Sequence, residues 1–136
     1  YKKIILPKKI FSKINFITKY DKTLKIKVNL SDWIQQQIFF IDYSDLNGIS
    51  FLKKTLSKDN VFIDIGANIG AYSLIASKLV GKTGKVIAFE PVNSIYSQLN
   101  ENITMNSITN IFVEKKFTCY TNLVDAPSCW LCYVFS

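Results

Sequence analysis

An α/β chain, with parallel strands joined by crossover helices over its second half, is what this sequence predicts. Three observations carry that expectation. From Val61 onward short apolar runs alternate strictly with helical stripes, the pattern of a parallel sheet. A glycine-bearing turn, Gly66-Ala67-Asn68-Ile69-Gly70, stands where the first of those strands passes into its helix. The next strand ends on an acid, Glu90, and Pro91 follows at once. A chain of 136 residues that is 49% hydrophobic is too apolar to stay disordered and long enough to bury one modest core.

The elements follow in order. Residues 1–20 interleave lysines with apolar residues such as Ile4, Phe11, Phe16 and Ile17, and no period prevails, so no element is assigned there. From Leu24 to Leu30 apolar and polar residues alternate, which predicts a half-buried strand with Leu24, Ile26, Val28 and Leu30 on one face. Ser31 is then expected to cap a short helix running to about Phe40, with Asp32 in its first turn. Ile49, Leu52 and Leu56 predict a second helix whose other face carries lysines. Val61 to Ile65 is a short, mostly apolar run suited to a buried central strand. Ile69, Tyr72, Ile75, Ala76, Leu79 and Val80 make the next helical stripe, closed by Gly81 and Gly84. Val86 to Phe89 forms the second strand. Asn93 or Ser94 opens a helix carrying Ile95, Leu99 and Ile103, and a third strand runs from Asn110 to about Lys116.

Charge and composition narrow the functions. All 17 basic residues are lysines, against 10 acids, so the net charge of +7 comes from hydrated point charges and not from guanidinium forks. That argues against a nucleic-acid partner. Nine of the lysines lie between Lys2 and Lys27, where Asp21 is the only acid; a solvated lysine face is the plain reading, an acidic lipid surface or a polyanion the other. Histidine is absent, which removes the commonest general base and makes a zinc site unexpected. Cys119, Cys129 and Cys132 crowd the last stretch and resemble neither a secreted disulfide framework nor a complete metal site. No apolar run reaches the roughly 18 residues of a membrane span and no signal peptide is visible, so a cytoplasmic protein without a transmembrane segment is expected. The chain begins at Tyr1 and not at methionine, which suggests a missing start.

The chemistry is expected at the first strand-to-helix turn. Gly66 and Gly70 remove side chains where the backbone bends sharply and a ligand approaches the main chain, and the following helix is expected to offer unpaired N–H groups. Adjacent parallel strands end side by side, so Glu90 arrives at the same crevice. Its carboxylate can accept both hydroxyls of a ribose and would repel phosphate. There is no G-x-x-x-x-G-K-[ST], and the G-x-G-x-x-G spacing of a nicotinamide dehydrogenase is not met. A tight connection without ligand is the competing structural reading, in which Asp64 braces the loop and Tyr72 is a core aromatic.

The runs Val61-Phe62-Ile63-Asp64-Ile65-Gly66-Ala67-Asn68-Ile69-Gly70-Ala71-Tyr72-Ser73, Val86-Ile87-Ala88-Phe89-Glu90-Pro91 and Leu99-Asn100-Glu101-Asn102-Ile103 resemble the FkbM family of methyltransferases over roughly residues 24–116. The resemblance implies a Rossmann-like class I methyltransferase fold, S-adenosylmethionine as cofactor, and O-methylation of a sugar, glycan or other small hydroxylated metabolite. It puts Gly66, Ala67, Asn68 and Gly70 around the cofactor's methionine portion, Asp64 near its ammonium directly or through water, and Glu90 on the ribose. It identifies no catalytic base. Residues 1–60 then read as a lysine-rich lead-in, 61–116 as the cofactor-binding half, and 117–136 as a divergent tail outside the resemblance. The expectation is therefore an incomplete domain, a truncated and poorly active enzyme or else a non-catalytic or non-functional fragment. Its strand Val61–Ile65 would stand as an open apolar edge that invites self-association.

Overall fold

The computed structural model describes residues 14–40, 46–116 and 131–135. Its first elements are two antiparallel strands, β1 (Asn15–Tyr20) and β2 (Leu24–Asn29). The predicted alternation holds in β2, where Leu24, Ile26 and Val28 are buried and Lys25 is exposed. β1 has no such pattern: Tyr20 alone of its residues is buried, so pairing with β2 makes it a strand. The loop between them carries Asp21 and Lys22 at positive φ, 41° and 62°. Asp21 then reaches out of the hairpin to Lys53 at 2.9 Å and Lys78 at 3.2 Å. The hydrogen bond from Lys53, aided by Lys78 and opposed by partial burial, holds its carboxyl below the usual carboxylate range.

Helix α1 (Trp33–Phe40) starts one step later than Ser31 would have it. The cap is Asp32, whose side chain accepts the Gln35 N–H at 3.0 Å while its carbonyl accepts that of Gln36 at 2.9 Å. Ser31 instead donates its hydroxyl to Asn29. Helix α2 (Leu46–Thr55) begins ahead of Ile49, buries Ile49 and Leu52, and ends with Lys53 and Lys54 where the dipole favours cations.

The alternating half follows as β3 (Val61–Ile65), α3 (Ala71–Val80), β4 (Lys85–Phe89), α4 (Asn93–Met105) and β5 (Ile111–Glu114). β3, β4 and β5 are parallel neighbours, and right-handed crossovers between successive neighbours put α3 and α4 on one face. Phe62, Val86 and Ala88 of the strands, Leu74, Ile75 and Val80 of α3, and Leu99 of α4 are fully buried there. No helix among the described residues is long and apolar enough to cross a membrane.

Two arrangements depart from the sequence reading. First, the outer edge of β3 is not open. Strand β6 (Leu131–Phe135) pairs with it antiparallel, from Val61 opposite Phe135 to Ile65 opposite Leu131, giving the order β5-β4-β3-β6. The run Leu-Cys-Tyr-Val-Phe is apolar, aromatic and β-branched, a composition that fits a pleated surface beside a buried strand. The expected self-association through this edge loses its basis. Cys119 and Cys129 lie outside the described residues, while Cys132 is in β6 opposite Asp64. Second, β2 is closed by side chains of α4. Asn106 accepts the Lys25 N–H at 2.8 Å and donates to the Lys25 carbonyl at 2.7 Å. Asn102 accepts the Lys27 N–H at 2.7 Å. Four helix residues advance about 6 Å and two strand residues about 6.8 Å, so amides four apart on a helix can meet alternate residues of a strand.

Candidate functional site

The turn after β3 is shaped by left-handed backbone at alternate residues: Gly66 has φ 78°, Asn68 50° and Gly70 92°. Glycine adopts that conformation freely, and asparagine is among the few other residues that tolerate it. Gly70 also answers a packing demand, because a Cβ there would lie 2.5 Å from Leu99 Cδ1. Helix α4 thus presses against the start of α3.

Every N–H of the turn is used within the chain. Those of Gly66 and Ala67 donate to the Phe89 carbonyl at 2.9 and 3.0 Å, fastening the turn to the end of β4. The Asn68 N–H donates to Glu90 Oε2 at 3.0 Å, the Ile69 N–H to Asn68 Oδ1 at 2.7 Å, and the Gly70 N–H to the Ala67 carbonyl at 2.9 Å. The unpaired donors expected beside a ligand are therefore not those of the turn itself. Glu90, only 5% exposed, also accepts the Val92 N–H on Oε1 at 2.9 Å. Its carboxylate links the turn to the segment entering α4, and it points toward the Gly66 bend as the parallel βαβ argument requires.

Asp64 sits beneath this surface. It is 2% exposed, and its Oδ2 accepts the Ser73 hydroxyl at 2.5 Å, which ties β3 to the first turn of α3. Ala67 is buried, and Tyr72 packs partly against the core while lining an apolar cavity with Trp33 and Phe51. The structure thus brings Asp64, Gly66, Ala67, Asn68, Gly70 and Glu90 into one neighbourhood. Asn102 belongs there too, though the sequence assigned it no role. Its Nδ2 donates to the Ile69 carbonyl at 2.9 Å, so one fully buried amide binds the glycine turn and β2 together. The L-x-x-N-I run held that signal: Leu99 meets Gly70 and Asn102 meets Ile69.

A family model described as the Vibrio cholerae RfbT protein matches residues 10–135 of this chain. The chain belongs to the RfbT family. The matching family is thus RfbT and not FkbM, and what stands of the resemblance is the methyltransferase fold. The RfbT match includes residues 117–135, so the stretch set aside as a divergent tail lies within the family. AMB antimetabolite synthetase AmbE of Pseudomonas aeruginosa is 35% identical to the RfbT-family chain over 79 residues, 57% of this chain and 3% of AmbE. Among solved structures, TYW2 of M. jannaschii in complex with AdoMet superposes with a TM-score of 0.58 at 20% identity, covering 73% of this chain and 42% of TYW2. The tRNA m1G37 methyltransferase of M. jannaschii gives 0.53 at 18% identity, covering 76% and 30%. The RfbT-family chain spans less than half the length of each of these proteins and has the Rossmann-like fold of such methyltransferases.

Proposed function

We propose that this RfbT-family chain binds S-adenosylmethionine over the Gly66–Gly70 turn and forms the cofactor-binding part of an O-methyltransferase acting on a sugar or other small hydroxylated metabolite. The observation that carries the reading is the buried Glu90 carboxylate, bonded to the turn at the Asn68 N–H. Each of its oxygens accepts one backbone N–H, and a carboxylate has about four acceptor sites, so lone pairs remain for the two hydroxyls of a ribose. A phosphate fits poorly: the turn's N–H groups are bonded inward and Glu90 would repel it. A nucleoside without phosphate meets neither obstacle.

Bound there, S-adenosylmethionine supplies a methyl group activated on a sulfonium. The residues of the chain hold and orient. Gly66, Ala67, Asn68 and Gly70 form a floor that lets the ligand approach the backbone, Glu90 takes the ribose, and Asp64, tied to Ser73, stiffens the floor on the ammonium side. Rigid placement favours in-line displacement, and exclusion of water protects the activated methyl. An alcohol acceptor also benefits from a base as its proton leaves, a role assigned to no residue named above.

Calorimetry with S-adenosylhomocysteine tests the reading. Wild type should bind, and Glu90→Ala should bind about ten- to hundredfold more weakly, equivalent to about 1.5–3 kcal/mol. Thermal unfolding run in parallel shows whether the variant is folded; unchanged affinity in a folded variant removes Glu90 from the site. A product assay then separates an enzyme from a non-catalytic binding module. An RNA acceptor is the second reading, favoured by the tRNA m1G37 methyltransferase among the structural neighbours. Running the assay on tRNA and on hydroxylated sugars side by side distinguishes the two.

A further inference from the structure

The hairpin of β1 and β2 has two faces of different character. Its inner face carries Tyr20, Leu24, Ile26 and Val28 into the core. On the outer face the register sets Ile17 opposite Lys27 and Lys19 opposite Lys25, with Lys22 in the connecting turn. Ile17 is 62% exposed, and Lys19, Lys22 and Lys25 are exposed beside it. Residues directly opposite on antiparallel strands hold their Cβ atoms about 4.5–5.5 Å apart, and like charges so placed oppose folding. Lys19 and Lys25 are such a pair, and an anion laid across them removes the cost.

The nearby acids are engaged elsewhere. Asp21 turns to Lys53 of α2 at 2.9 Å and Lys78 of α3 at 3.2 Å. Glu101 of α4 takes Lys27 at 2.6 Å. Residues 1–13 bring further lysines and no acid, so the sequence leading into β1 adds to the positive charge and does not offset it. The isoleucine among these cations decides which anion fits. A dissolved polyanion offers an exposed isoleucine no refuge from water, whereas the boundary of a bilayer sets anionic headgroups beside hydrocarbon. Lysine stems lie along such a boundary with their ammonium groups on phosphate.

We propose that the outer face of the β1–β2 hairpin docks the protein on an anionic lipid surface, with Ile17 entering the headgroup boundary and Lys19, Lys22 and Lys25 meeting lipid phosphates. The attachment is mainly electrostatic, so it weakens as salt rises. Asn102 bonds this hairpin to the glycine turn, so a docked hairpin keeps that turn close to the membrane.

The test is sedimentation of the 136-residue chain with vesicles of phosphatidylcholine alone and of phosphatidylcholine with phosphatidylglycerol, beside calorimetry with polyphosphate as a soluble polyanion. The chain should bind the anionic vesicles and not the neutral ones, and should release them toward about 1 M salt, where the Debye length is about 3 Å. Lys19→Ala combined with Lys25→Ala should weaken vesicle binding about thirtyfold, and Ile17→Ser, which leaves the charge alone, about fivefold. Removing exposed lysines elsewhere, Lys54→Ala with Lys82→Ala, should change it less than about twofold. Thermal unfolding shows whether each variant is folded; should the Lys19 and Lys25 double variant fail there, Ile17→Ser decides. No binding to the anionic vesicles, equal binding to the neutral ones, or an equal loss from the two lysine pairs overturns the proposal. So does undiminished vesicle binding by Ile17→Ser, or binding of polyphosphate in place of vesicles, either of which gives the face to a soluble polyanion.

Discussion

Gly70 carries two demands at once, and they differ in weight. Its φ of 92° is a backbone conformation that costs an L-residue about 1–2 kcal/mol, with no way to relax short of moving the turn. The clash of a new Cβ with Leu99 Cδ1 involves the far end of a flexible side chain, which can swing aside. The backbone term therefore dominates, and Gly70→Ala should lose about 1–3 kcal/mol in denaturant unfolding. A loss below the measurement error would mean that the turn rearranges easily and is no rigid floor for a ligand. Glycine at this position is legible in the sequence, since the strand-to-helix bend demands it. The reach of Leu99 to it is not, because that contact joins two helices that only the folded sheet sets side by side.

At the scale of elements, the amide ladder between α4 and β2 and the ion pair beside it invite a comparison of magnitudes. Lys27 Nζ and Glu101 Oε2 stand 2.6 Å apart, but the lysine side chain is about a third exposed and the glutamate about half, and pairs so open to water are worth about 0–1 kcal/mol. Asn102 is fully buried, and its loss strands the Lys27 N–H and the Ile69 carbonyl at about 1–3 kcal/mol each. Asn102→Leu should therefore destabilise by at least about 2 kcal/mol, while Glu101→Ala should change stability by less than about 1 kcal/mol. Equal effects in thermal unfolding would show that the ladder is not what holds the hairpin. Strands β3 and β4 and helices α3 and α4 are legible because each carries its own period in a continuous stretch. β1 and the ladder are not, since one draws its order from a partner strand and the other from single asparagines whose partners are 75 and 81 residues away. Asp32 takes the cap from Ser31 for a local reason: Asn29 captures the serine hydroxyl first.

For the molecule as a whole, β6 decides whether the sheet presents an apolar edge. A chain ending at residue 130 would expose the outer N–H and C=O groups of β3, beside the fully buried Phe62, and should self-associate on light scattering where the longer chain does not. A monomer as soluble as the 136-residue chain would show that something other than β6 closes that edge. Sequence patterning could not announce this strand, because it pairs antiparallel with a sheet whose other members are parallel, and its partner precedes it by some seventy residues. The hairpin, in turn, is attached to the sheet through helix α4, with Asn106 at one end of the attachment. There the Asn106 amide nitrogen faces two carbonyls, of Lys25 and Asn102, each at 2.7 Å, and a serine follows it in the chain. Asparagine side chains hydrolyse with age and heat. Once this one became aspartate, an anionic oxygen would confront both carbonyls, so old preparations should accumulate a more acidic isoform whose hairpin exchanges its amide protons faster than the rest of the fold.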